Sequence, residues 1–202
     1  MYELTPEKIT ENYNKFESLC EKLGDRSEPI KKMLTDLGDR LALCPASGKI
    51  EFHSCFPGGL VDHSLRVLQN AYKLMKVYDL DFPKESIILS CLFHDLGKVG
   101  DMTQDYYVPQ SSDWHKSKGM LYEHNSHLKY MSVPHRSIFL LQHYGVRLTH
   151  DETLAILLND GQYVPENKAY AMREPYMSMI VHQADAFSTL WEKHNLVSNP
   201  SK

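Results

Sequence analysis

No two of the four cysteines, Cys20, Cys44, Cys55 and Cys91, stand in a CxxC spacing, and Cys91 lies inside an apolar run. That argues for reduced thiols over a disulfide framework or a zinc knot. Also missing is any apolar stretch near the roughly 18 residues that a membrane-spanning helix needs. No signal-peptide pattern opens the chain, so a cytoplasmic protein without membrane contact is expected. Basic residues are not in excess: the net charge is −4, which disfavours a protein built to track long nucleic acid. Strand signals are weak throughout, and neither an internal repeat nor a low-complexity segment is found. What is present is 202 residues, 42% hydrophobic and 24% charged, enough for one domain with its own core. Eleven histidines are an excess that raises the question of a metal.

Helical periodicity covers most of the chain. Thr5-Pro6-Glu7-Lys8 has the pattern of a capped helix start, and Ile9, Tyr13, Phe16, Leu19 and Leu23 recur at helical spacing before Gly24. A second helix is expected from about 28 to 43, with Ile30, Met33, Leu34, Leu37 and Leu41 on one face and Gly38 as a bend. Turns at Cys44-Pro45 and Pro57-Gly58-Gly59 precede a helix over 60–77, on whose apolar face His63 is the polar exception. Pro83-Lys84-Glu85-Ser86 opens a buried helix that runs into His94-Asp95. Residues 100–133 are polar and aromatic and too long for a plain connection, which suggests a functional loop or lid. Further helices start at Pro134-His135, at the capping box Thr149–Glu152, and near Glu174-Pro175. The chain reads as all-α, a compact bundle. Residues 1–44 form an N-terminal helical appendage, 45–197 the main domain with its insertion at about 100–133, and 198–202 a frayed tail.

Ligand-type residues sit among apolar neighbours on three of these helices: His63, then His94 with Asp95, then Asp185. Each alone has an ordinary explanation, such as a satisfied core histidine or a carboxylate paired with arginine. Together they point to a metal, because facing helices converge on a bundle interior and buried carboxylates need a cation to stay ionised.

At these residues the chain resembles the HD superfamily of metal-dependent phosphohydrolases, whose ordered pattern H…HD…D reads here His63, His94-Asp95 and Asp185. Pro57-Gly58-Gly59-Leu60-Val61-Asp62-His63-Ser64-Leu65 and His94-Asp95-Leu96-Gly97-Lys98 are similar to the motifs of a subgroup that includes bacterial 3′–5′ exoribonucleases. The resemblance implies a helical HD-domain bundle with a divalent metal in its core, held by His63, His94, Asp95 and Asp185. Pro134-His135-Arg136-Ser137 resembles a second-metal position, and Asp160 stands near where the family has another histidine. The chain has Ala155-Ile156-Leu157-Leu158-Asn159-Asp160 there, so His135 and Asp160 are candidates for a second ion. His53, His115, His124 and His127 are spare histidines that suit surface or substrate contacts better than ligation.

Two imidazoles and two carboxylates suit Mn²⁺, Fe²⁺, Co²⁺, Ni²⁺ or Mg²⁺, with Zn²⁺ also compatible. Such an ion activates water for attack on phosphorus. Asp95 is expected to ligate and to orient that water, and Lys98 to neutralise a phosphate oxygen. Arg66, Arg136 and the insertion residues Trp114, His115, Lys116, Lys118 and Tyr122 are the expected substrate contacts, pairing positive charge with stacking surface as a nucleotide requires. The expected activity is hydrolysis of a phosphoester or phosphoanhydride bond of a small nucleotide. The alternatives are a 3′–5′ exonuclease on single strands and a non-catalytic metal-stabilised binding module.

Overall fold

The computed structural model describes residues 3–197, and the expected frayed tail lies outside them. Helix α1 (Pro6–Cys20) is capped by Thr5, whose side chain accepts from the Lys8 N–H at 3.3 Å. The expected second helix is two: α2 (Ser27–Leu37) and α3 (Asp39–Ala42). Gly38 adopts φ +47°, a conformation costly for any residue with a Cβ, and its N–H closes α2 on the Leu34 carbonyl at 2.9 Å. The break is therefore a helix stop where a bend was expected.

The bundle is organised about α5 (Lys84–Phe93). Every residue from Ser86 to Phe93 is buried, so its sequence shows an apolar run without a helical period. Against it lie α4 (Gly59–Val77) and α9 (Tyr176–Glu192), which also pack along each other, and α8 (His150–Leu157). Phe16 of α1 meets Phe93 edge to face, with ring centres 5.5 Å apart. Phe16, Leu23, Ile30 and Met33 share one contiguous core with Leu89, Leu140 and Val181. Arg26 adds a polar tie: it donates to Glu152 at 2.8 Å, and Glu152 also accepts from the Thr149 N–H in the capping box of α8.

The insertion holds a hairpin that the sequence did not signal. Strands β1 (Tyr107–Pro109) and β2 (Tyr122–His124) pair antiparallel, Tyr107 opposite His124, around the short helix α6 (Asp113–Ser117). Three residues per strand are too few for an alternating pattern to register. The hairpin is tied to the segment before α4, where the Leu121 N–H donates to the Gly48 carbonyl at 3.0 Å.

After α5 the chain makes a 3₁₀ turn over Leu96–Val99, against which α7 (Val133–His143) docks backbone to backbone. The Ser137 hydroxyl donates to the His94 carbonyl at 3.0 Å and accepts from the Gly97 N–H at 2.8 Å, and a Cβ on Gly97 would run into the Val133 carbonyl. Gly97→Ala is expected to destabilise the protein by about 3 kcal/mol through that clash and to displace His94 and Asp95. Thermal unfolding with and without added Mn²⁺ checks both effects.

Glu152 gives a pH-dependent test. Burial alone would raise its carboxyl, but the Arg26 hydrogen bond and the Thr149 N–H hold it below the ordinary value. Stability from a depressed carboxylate is present above its unfolded pKa and lost as pH falls through the folded one. Arg26→Ala is expected to cost about 3 kcal/mol at pH 7, or roughly 6–12 °C in Tm. Melting at pH 7 and pH 3 should show that difference shrinking in acid.

Candidate metal centre

Four side chains from three helices meet beside the core. His63 projects from the buried face of α4 and is fully enclosed. His94 follows the last residue of α5, and its Nδ1 lies 2.9 Å from the Cys91 carbonyl, which fixes the ring. Asp95 comes next, where the backbone leaves the helix, and Asp185 faces them from α9. His63 Nε2 stands 3.0 Å from Asp185 Oδ1 and 4.0 Å from Asp95 Oδ2. His94 Nε2 stands 3.4 Å from Asp95 Oδ2 and 4.0 Å from Asp185 Oδ1.

These separations suit a shared cation. Ligand atoms about 2.1 Å from one ion lie about 3.0 Å apart at a right angle and about 4.2 Å apart across it. Both Nε2 atoms are buried with no aligned hydrogen-bond partner, so each points at the carboxylates without bonding to them. Their Nδ1 atoms are occupied, His94 by a carbonyl and His63 by Glu192 Oε1 at 3.1 Å. Ligating histidines have this arrangement, one nitrogen on a carboxylate or carbonyl and the other on the metal. His63, His94 and Asp95 lie close enough together to fit a divalent ion, and Asp185 approaches the same two imidazoles as a fourth candidate ligand.

The electrostatics of the cluster follow from its burial. Burial opposes charge on His63, but Glu192 and Asp185 prevail and push the ring up to about 10. An ion would displace that proton. Burial would raise Asp95, yet Lys98 and then His94 hold it well below the usual carboxylate range. Lys98 is partly buried, 2.6 Å from Asp95 Oδ2, and Asp95 keeps its ammonium charged against the cost of burial.

Glu192 is the residue the sequence reading missed. It stands seven positions after Asp185, two turns along the same face of α9. Its other oxygen accepts from Ser54 Oγ at 2.9 Å, and Arg66 Nε donates to Oε1 at 3.0 Å. Burial would raise its carboxyl, but His63, His53 and Arg66 bring it down to about 2. His53 lies over His63, with ring centres 4.8 Å apart and its Nε2 unpartnered; burial, then His63, lower it to about 3.

The expected substrate contacts are scattered. Arg66 is committed to Asp62 at 2.6 Å and to Glu192, with its guanidinium over the Trp191 ring. Arg136 is buried, donating to the Gly97 and Lys129 carbonyls. Trp114 is 63% exposed with its edge on His115, while Lys116 pairs with Asp113 at the surface and Lys118 is exposed. Tyr122 lines a small cavity with Lys98 and Tyr107. His135 and Asp160 share the wall of a larger cleft, but His135 is exposed and its Nδ1 lies 2.6 Å from Ser132 Oγ. His124 stacks among Tyr106 and Tyr107, and His127 is exposed.

Adding Mn²⁺ at a hundred times its Kd is expected to stabilise the protein by about 2.7 kcal/mol, a Tm rise of roughly 5–10 °C. His63→Ala and Asp185→Asn should abolish the rise. Glu192→Gln should keep it but require 10–100-fold more metal, by analogy with other carboxylates behind ligating histidines. Differential scanning fluorimetry over a metal titration measures all three.

Comparison with curated proteins and with solved structures gave no match. A family model, the HD domain, matches residues 60–190 and so takes in all four converging side chains. HD domains bind divalent metals, and the family is one of metal-dependent phosphohydrolases. The chain belongs to the HD domain family.

Proposed function

We infer that the protein hydrolyses a phosphate bond of a small nucleotide, using a water activated at a single divalent ion held by His63, His94, Asp95 and Asp185. The observation that carries this reading is Lys98, partly buried 2.6 Å from Asp95 on the edge of the metal cluster. A purely structural cation site gains nothing from a second positive charge beside it. A site for an anionic substrate does, because a phosphoryl group can lie between the two cations.

When bound, the ion lowers the pKa of a coordinated water and polarises the phosphoryl group. Asp95 accepts a hydrogen bond from the attacking water and orients it. Lys98 meets the charge that grows on the phosphoryl oxygens. Glu192 keeps the proton of neutral His63 on Nδ1, leaving Nε2 free to ligate. The enclosing core restricts solvent, which strengthens each of these interactions.

The motif likeness of residues 57–65 and 94–98 to the exoribonuclease subgroup favours a hydrolase over a binding module. The acidic net charge favours a small substrate over a polymer. The test is metal-supplemented hydrolysis of a nucleotide panel and a short single-stranded RNA. Phosphate release from nucleotides is expected, falling at least about 10³-fold in Asp95→Ala. Lys98→Ala should lose about 10²-fold in kcat/KM yet keep the metal-dependent Tm rise. Degradation of RNA alone would assign the exonuclease activity, and metal binding without any turnover would assign the module.

A further inference from the structure

A cleft of about 540 Å³ opens beside the metal residues, within the size range of a nucleoside site. Both of its walls are anchored to the HD pair. One is the start of α7, whose Ser137 hydroxyl donates to the His94 carbonyl at 3.0 Å. The other is the turn after α8, where Asn159 Nδ2 donates to that same carbonyl at 3.3 Å. Asp160 on its wall interacts electrostatically with Asp95, Lys98 and Asp185, so a substrate with its phosphoryl group on the ion has this cleft within reach.

The charge of the cleft is unusual for a phosphate-binding protein. Tyr106, Tyr130, His135, Asp160 and Glu166 line it, and among its described lining residues there is no lysine or arginine. The arginine nearest by sequence to its wall, Arg136, is turned onto the backbone of Gly97 and Lys129 beneath the Tyr106 ring. Arg66 is neutralised by Asp62 and Glu192. Lys98 pairs directly with Asp95, and it provides for a single phosphoryl group. A second or third phosphate reaching into the cleft would meet two carboxylates and no counter-charge. A sugar would find acceptors there for its hydroxyls, and Tyr130, 91% exposed, offers a face for a base.

We propose that the substrate is a nucleoside monophosphate: its one phosphate binds at the ion and Lys98, its uncharged nucleoside fills the Tyr130–Asp160–Glu166 cleft, and nucleoside di- and triphosphates are disfavoured by those carboxylates. This rests on the hydrolytic reading above and specifies its reaction. Water adds to phosphorus, the ester P–O bond breaks, and the nucleoside alcohol leaves carrying one proton of the water, giving nucleoside and inorganic phosphate.

The experiment compares AMP, ADP, ATP and ribose 5-phosphate on the metal-loaded full chain, by hydrolysis and by calorimetric binding. AMP is expected to exceed ATP at least about tenfold in kcat/KM and in affinity. Glu166→Lys, an exposed position away from the ligands, should narrow that ratio several-fold by improving ATP. Tyr130→Ala should weaken AMP and not ribose 5-phosphate. ATP used as well as AMP, or a second ion at His135 and Asp160 accompanying ATP hydrolysis, would overturn the proposal. Ribose 5-phosphate matching AMP would remove the nucleoside from it. Should nothing be hydrolysed while AMP still binds more tightly than ATP, the hydrolytic reading fails and the ligand class stands.

Discussion

Carboxylates beside a helical core are tolerable only with positive charge to face them, and that constraint shapes this molecule. Asp95 and Asp185 approach His63 and His94 within 3.0–4.0 Å. Lys98 adds a third positive group to the same side. The desolvation of so many ionisable groups is supportable because each faces an opposite charge, and a divalent ion serves the same end with fewer protons. The apolar packing of α5 brings the groups there, since the helix enclosed on every side is the one that ends in the HD pair.

The surroundings of the pair are held through backbone atoms. One carbonyl, that of His94, receives the Ser137 hydroxyl from α7 and the Asn159 amide from the turn after α8. Two separate stretches of chain are thus referenced to a single atom of a candidate metal ligand. The cleft walls and the candidate ligands share this anchor, the kind of backbone support that keeps a site's geometry fixed.

Much of this was legible in the sequence and some was not, for identifiable reasons. The four ligand-type residues stand out because each is a polar exception in an apolar setting, and the structure gathers them. The capping box Thr149–Glu152 was visible because its chemistry is local. Gly38 was visible as a glycine, but its positive φ, and hence the end of α2, depends on a backbone conformation that composition does not state. The hairpin in the insertion is too short for periodicity. Arg66 and Arg136 were expected as substrate contacts for their positive charge beside the motif residues His63 and His135. Their actual partners, Glu192 across 126 positions and backbone carbonyls, are set by the tertiary fold. Glu192 shares a face with Asp185, a spacing of seven that carries meaning only once α9 is known to run unbroken to its end.

That last residue has a bearing on where the working unit stops. The matched family span ends at 190, two residues before the carboxylate that settles which nitrogen of His63 bears its hydrogen. A fragment trimmed to the shared span would keep every candidate ligand and lose the carboxylate against His63 Nδ1, together with its bonds to Ser54 and Arg66. The contacts that surround His63 thus run on to the far end of α9, past the limit that family likeness would draw.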